Sequence, residues 1–394
     1  MKVRGFSASA AAAGIRKKDR LDLGLIYSDV PAVTAGVFTT NLVKAAPVLI
    51  DMERLKQGMS QAILVNSGCA NACSGAAGRE AALKTGALAA RAMNISENLV
   101  QLASTGVIGE PLNVAAFEKA MPELAATLSP DGFNAVALAM MTTDTRPKIV
   151  EHSVDVGGVT VNFLGVAKGS GMIMPNMATM LGFVVTDARI GFPELHRALT
   201  NGVSRTFNRV TVDGDTSTND MVLVMANGLA ENPWIDDEAI DHFAEFQAAL
   251  TAVLRDLALM IAVDGEGATK FITIRVSGAK EAEDAHRIAR TVANSNLVKT
   301  AFFGEDANWG RIMAAMGRSG VRFDPEKVDI SFNGVTLVKN GLALGGDAEK
   351  QADQALREKQ IIVGIALPDG EACEEVYTCD LSLDYVKINA DYRS

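Results

Sequence analysis

The chain has 394 residues, a formal net charge of -10 and only 5% aromatic residues. That acidic balance excludes a broad phosphate-binding face, so nucleic acid is not an expected partner. With 48% hydrophobic residues and a mean hydropathy of +0.15, the chain buries more than one small core, which predicts two or so domains.

The first twenty residues, "MKVRGFSASAAAAGIRKKDR", have basic flanks but an Ala/Ser middle where a signal peptide has an apolar block. They are expected to belong to the mature protein. No apolar run suggests the roughly 18 residues of a membrane span. "DLGLIYSD" and "PAVTAGVFTTNLV" are rich in β-branched residues and bounded by turn formers, so both read as strands. "QAILVNSG", Gln61 to Gly68, reads as a buried strand. "GREAALKTGALAARAM" reads as a helix with Leu83, Ala87 and Ala90 on one side. "SVDVGGVTVNFLGVAKGSG" reads as a hairpin turning at Gly157-Gly158.

Farther on, "DDEAIDHFAEFQAALTAVLRDLALMIA" places Ile240, Phe243, Leu250, Leu254, Leu257 and Ile261 on one helical face. "KFITIRVSG" and "QIIVGIAL" read as strands, and "VDISFNGVTLVKNG" as a hairpin turning at Asn333-Gly334. Helices and strands are mixed throughout, which predicts an α/β or α+β class, with a smaller distal lobe from about residue 275. Cys69 and Cys73 lack the C-x-x-C spacing of zinc and redox motifs, and Cys373 and Cys379 are farther apart still. All four are expected to be plain small residues in a reduced, cytoplasmic protein.

His152, His196, His242 and His286 are isolated, and no G-x-S-x-G, H-E-x-x-H or P-loop pattern occurs. A hydroxyl can nevertheless be activated without His. In "KGSGMIMPNMATML" a Gly-rich approach leads through a Met-rich run to Thr179. A Thr exposed as a new N-terminus has its own α-amine beside its hydroxyl. That amine has an ordinary pKa of about 7.7–8.0 and can serve as general base. The alternative is a Thr that only packs.

In "LASTGVIGEPL", Thr105-Gly106 is either an oxyanion hole or a turn. "RVTVDGDTSTNDMV" alternates Asp213, Asp215 and Ser217 as a calcium loop does, but Thr218 and Val224 replace the loop Gly and the closing Glu. A turn and helix cap is expected there, and no metal. Glu266 in "AVDGEGATKF" is an ammonium site or a solvated turn acid. Trp309 and Arg311 in "GEDANWGRIMAAMGRSG" mark a loop and helix start. The apolar, aromatic tail "LDYVKINADYRS" is expected to be docked.

Taken together, "STGVIGEPL", "KGSGMIMPNMATML", "TVDGDTSTND", "VDGEGATKF", "DANWGRI" and "YVKINADYRS" resemble the glutamate N-acetyltransferase/ornithine acetyltransferase family of arginine biosynthesis. The resemblance covers essentially the whole chain, and "PNMATML" is its most specific motif. It implies a layered αββα-type sandwich with an N-terminal Thr nucleophile. It implies self-cleavage between Ala178 and Thr179, into an α chain of residues 1–178 and a β chain of residues 179–394. Thr179 would then pass an acetyl group from N-acetylornithine to glutamate, releasing ornithine and forming N-acetylglutamate.

By the same resemblance Thr105 and Gly106 form the oxyanion hole. Thr142, Lys168, Thr179, Glu266, Asn389 and Ser394 bind substrate. No cofactor is implied, although acetyl-CoA can be a second acetyl donor, and two α and two β chains assemble. Cys69, Leu42 and Ser394 depart from the usual family residues, and Ser394 keeps the hydroxyl of the common Thr. The competing readings are an N-terminal-nucleophile aminopeptidase or amidase, and a binding protein that never cleaves.

Overall fold

The computed structural model describes residues 2–16, 19–174, 180–235 and 241–391. Two compact units result, one of Met1–Asn208 with Asp215–Ile261 and one of Arg209–Gly214 with Ala262–Ser394.

The first unit runs β1 (Phe6–Ala11), β2 (Leu23–Phe38), α1 (Ala46–Arg54), β3 (Met59–Asn66), α2 (Gly75–Met93), β4 (Val100–Ser104) and α3 (Val114–Ala126). It continues with α4 (Phe133–Met140), β5 (Lys148–Val156), β6 (Val159–Lys168), β7 (Leu181–Thr186), α5 (Phe192–Arg205), β8 (Met221–Ala226) and α6 (Asp241–Val263). Its strands form one sheet in the order β4-β3-β2-β8-β7-β6-β5, with β1 paired to β2. Both β7, "LGFVVT", and β8, "MVLVMA", are buried at every position. Such continuous apolar runs arise when both faces of a sheet are covered.

Strand parity divides the two faces. On β3, Ile63 and Val65 join a core with Phe133 and Val136 of α4, while Ala62 and Leu64 join one with Ala82 of α2 and Phe117 of α3. The β5–β6 hairpin turns at Gly157 and Gly158, both at positive φ (61° and 83°), as expected from their lack of a Cβ. Helix α6 is long and apolar enough by composition to span a membrane, but its apolar face is used in the core. Phe243, Leu250, Leu254, Leu257 and Ile261 are buried as predicted, and a Cβ at Gly165 of β6 would lie 2.8 Å from Leu257.

The small-residue helix α2 differs from its predicted face. Its buried positions are Gly78, Ala82, Thr85, Gly86, Ala89 and Ala90, whereas Leu83 and Ala87 are half-buried. The buried side of α2 is set by small residues, with the Arg54 and Leu102 side chains lying over Gly86.

The second unit contains β9 (Phe271–Ala279), α7 (Ala282–Ala293), α8 (Asn296–Phe303), α9 (Trp309–Gly317), β10 (Asp329–Phe332), β11 (Val335–Lys339) and β12 (Leu342–Ala343). It ends with α10 (Asp347–Ala355), β13 (Gln360–Ala366), β14 (Ala372–Cys379) and α11 (Leu383–Ala390). Its sheet order is β12-β11-β10-β13-β9-β14, with Ile272, Ile274 and Val276 packed against Ile288 and Val292 of α7. The β10–β11 turn falls at Asn333-Gly334 as predicted. Trp309 opens α9, and Arg311 donates to the Leu297 carbonyl at 2.7 Å, a structural role.

The main run of this unit begins at Ala262, inside α6, and not near 275, which lies within β9, and Arg209–Gly214 also belongs to it. A boundary inside a continuous helix leaves no loop-like composition to read. The tail is docked as expected, but not through its apolar side chains. Leu383 and Val386 of α11 are 69% and 62% exposed. The helix is held by polar bonds instead: Ser382 Oγ to the Gly267 carbonyl at 2.6 Å, and the Tyr385 hydroxyl to Asp213 at 3.3 Å.

Candidate active site

Strand β4 is the edge of the first sheet, and α1 covers it. Asp51 accepts from the Leu102 N–H through both carboxylate oxygens, at 2.9 and 3.0 Å, and Arg54 donates to the Val100 carbonyl. With the edge closed, β4 delivers Thr105 and Gly106 just beyond its last residue. The Thr105 N–H donates to the Asn66 carbonyl at 2.9 Å, and Ser104 Oγ to Asn66 Oδ1 at 2.7 Å. Gly106 has φ +130°, and a Cβ there would sit 2.4 Å from the Gly68 carbonyl carbon. No residue with a side chain fits without moving both loops.

Lys168 ends β6 and is 8% exposed. Its Nζ donates to Thr142 Oγ1 at 3.0 Å and to Thr105 Oγ1 at 3.4 Å. In the antiparallel β6–β7 ladder Lys168 lies opposite Leu181, two residues after Thr179. Thr105, Thr142 and Lys168 are therefore brought together at one end of the sheet. Ala178, Thr179 and Ser394 lie outside the described residues.

One residue of this group was not legible in advance. Asp144, two residues after Thr142, holds the cluster in place. Its carboxylate accepts from Lys148 Nζ at 2.7 Å, from the Gly169 N–H at 2.7 Å and from the Thr142 N–H at 3.1 Å, and lies 3.9 Å from Lys168 Nζ. Burial alone would raise its pKa. The Lys168 and Lys148 charges and the hydrogen bonds override that and bring it to about 2. Two ammonium groups thus share one carboxylate. Such a site suits a substrate carboxylate or a developing oxyanion. A cavity of about 390 Å³ adjoins it, lined by Arg20, Leu21, Leu138, Met141, Thr142 and Asp144.

In the second unit Glu266 is 6% exposed on the turn that follows α6. Gly267 has φ +67°, and a Cβ there would meet the Tyr385 backbone nitrogen at 2.5 Å, so the turn lies tightly against α11. Asn389 donates to Glu266 Oε2 at 2.7 Å. These two predicted site residues are therefore direct partners.

The sequence profile of the ArgJ family matches residues 7–394. The chain belongs to the ArgJ family. It is 64% identical over 394 residues to the arginine biosynthesis bifunctional protein ArgJ of Desulfotalea psychrophila, with all of both chains covered. It is 51% identical to the ArgJ of Geobacter sulfurreducens, again over the full length of both. A crystal structure of ArgJ from Bacillus halodurans is similar at 44% identity and a TM-score of 0.51, covering 53% of this chain and 97% of that one. The mixed α/β class agrees with this membership. In this ArgJ family member the sequence offers only a weak signal for Asp144, the acid of "TTDTRPK" four positions before a Lys.

Proposed function

We propose that this protein is an acetyltransferase that moves the acetyl group of N-acetylornithine to glutamate through Thr179, after cutting itself between Ala178 and Thr179. The observation that carries the reading is the Lys168 ammonium, bonded to both Thr105 and Thr142 at the strand end opposite Leu181. Oxyanion donors and a carboxylate counter-ion are thereby built beside the strand that Thr179 precedes.

In self-cleavage the Thr179 hydroxyl oxygen attacks the Ala178 carbonyl carbon, and the peptide nitrogen leaves, giving an ester. The Thr179 amine is freed in that step, and water then hydrolyses the ester to give the Ala178 carboxylate and the Thr179 hydroxyl. The solved Bacillus halodurans chain supports such a cut, since it spans only 53% of this one, close to the share that residues 179–394 hold. In turnover the new amine takes the proton from the Thr179 hydroxyl as its oxygen attacks the acetyl carbonyl. The Thr105 hydroxyl and Gly106 N–H stabilise the resulting oxyanion. Ornithine leaves with the proton, and the glutamate amine then attacks the acetyl ester, restoring Thr179.

Lys168 and Thr142 hold the substrate carboxylate, Glu266 and Asn389 receive the ammonium end, and Ser394 supplies a further hydroxyl. The relatives' description as bifunctional supports acetyl-CoA as a second acetyl donor, with the thiol of CoA as leaving group. A cytoplasmic setting and an assembly of two α and two β chains complete the reading.

Incubating the protein with N-acetylornithine, with and without glutamate, tests it. Ornithine release beyond one equivalent is expected only with glutamate present, and equal to N-acetylglutamate formed. Steady acetate release that ignores glutamate would instead identify an amidase.

A further inference from the structure

The segment "TSTND", Thr216 to Asp220, lacks the residues of a metal loop, yet its hydrogen bonds, with that of the next N–H, reach the described backbone on both sides of residues 175–179 and the residue before Thr105. Asn219 is 6% exposed and donates both amide hydrogens, to the Ala70 carbonyl at 2.7 Å and to the Ser104 carbonyl at 2.8 Å. Ser104 immediately precedes Thr105. Thr218 Oγ1 donates to Asn219 Oδ1 at 2.6 Å, which fixes the amide's orientation. Thr216 Oγ1 donates to the Met174 carbonyl at 3.2 Å. The Met221 N–H, next after Asp220, donates to the Met180 carbonyl at 3.0 Å. Met174 and Met180 are the described residues on either side of residues 175–179.

The segment is itself anchored. Thr39 donates to the Asp220 carbonyl through its N–H at 2.9 Å and to the Ser217 carbonyl through Oγ1 at 2.8 Å. The Ala45 N–H donates to the Thr218 carbonyl at 2.9 Å, and Asn41 Nδ2 to that of Thr216 at 3.0 Å. A second observation is independent of this network. Asp220 is 2% exposed, and its Oδ2 is buried without a hydrogen-bond partner among the described residues.

We propose that Thr216–Asp220 is the positioning clamp of self-cleavage, holding Met174 and Met180 on either side of the cleavage segment and Ser104 beside the oxyanion pair. The clamp fixes Met174, Met180 and Ser104 in one frame, so both described ends of the cleavage segment and the residue before the oxyanion pair share one reference. Burial holds the Asp220 carboxyl well above the usual carboxylate range, against the pull of Ser217, Lys168 and Thr39. Thr216, Asn219 and Asp220 act as positioning residues through their neighbours.

The inference rests on the proposed self-cleavage, and one experiment separates the two. Wild type, Thr216→Val and Thr216→Ser are synthesised in a cell-free reaction, and loss of full-length chain is followed on a denaturing gel. The same Thr216 changes in a Thr179→Ala background report Tm without cleavage. Val keeps the shape of Thr but cannot donate to the Met174 carbonyl. It is expected to slow cleavage about tenfold, on the scale of a small misplacement of reacting groups, while Ser restores the rate and Tm stays level. Wild-type cleavage with an unchanged Thr216→Val rate overturns the clamp alone. So does a Tm that falls with the rate and is not restored by Ser, since that marks a structural role. A wild-type chain that stays whole overturns both the reading and the clamp.

Discussion

Thr179→Ala is expected to give one band at the full 41.5 kDa where the wild type gives two, and to abolish acetyl transfer. The change removes the oxygen that opens the Ala178–Thr179 bond and, with it, the oxygen that carries the acetyl group. Because the bond stays closed, no α-amine is released to act as base. Loss of a nucleophile that works as a unit with its base costs about 10⁶-fold in rate. Thr179→Ser keeps the hydroxyl and is expected to retain two bands. An Ala variant that still splits would move the nucleophile elsewhere. An Ala variant that stays whole but transfers acetyl groups normally would uncouple processing from catalysis.

The second large effect is expected at Asp144. Its side chain is fully buried and so is that of Lys148, while Lys168 is 10% exposed. In Asp144→Asn the two ammonium groups lose their shared counter-charge, and a neutral amide stands in its place. Breaking a buried pair from one side costs about 3–5 kcal/mol, so a clear fall in Tm is expected at neutral pH. Lys168 would also lose the neighbour that helps place it against Thr105 and Thr142, and kcat should fall with stability.

The pH dependence has a definite sign. The native carboxyl titrates at about 2 against an ordinary value of 3.8. Its contribution, about 2 kcal/mol, is therefore complete above the ordinary value and lost as pH falls through the native one. The Tm gap between wild type and Asp144→Asn should narrow as pH drops from about 5 toward 2. A gap that is constant over that range would show that Asp144 is not held as a buried carboxylate. The comparison with the variant matters because Asp51 and Asp220 are pushed the other way by burial, and their contributions fade as pH rises.

Elements with a strong local code were legible in the sequence. The Gly157-Gly158 and Asn333-Gly334 turns require positive φ, and the Phe243–Ile261 stripe repeats at helical spacing. The site was legible differently. Neither Thr105-Gly106 nor Lys168 stands out alone, and their meeting is a side-chain contact between residues 63 positions apart, at the ends of strands that do not pair with each other. Only the resemblance of several motifs together connected them.

What stayed hidden has a common physical cause. Asp144 looks like any turn acid until burial and two Lys residues surround it. The packing face of α2 is set by Gly and Ala, whose hydrophobicity differs little from one side to the other. The unit boundary falls within α6. Asn219 and Thr216 act through backbone carbonyls far away in sequence, for which no residue pattern exists.

The most direct test of the account is the intact mass of the protein after exposure to N-acetylornithine alone. Two fragments are predicted, one ending at Ala178 and one beginning at Thr179, with a single acetyl group on the second that disappears when glutamate is added. A chain still whole at 41.5 kDa, or two fragments of which neither gains an acetyl group, would contradict it.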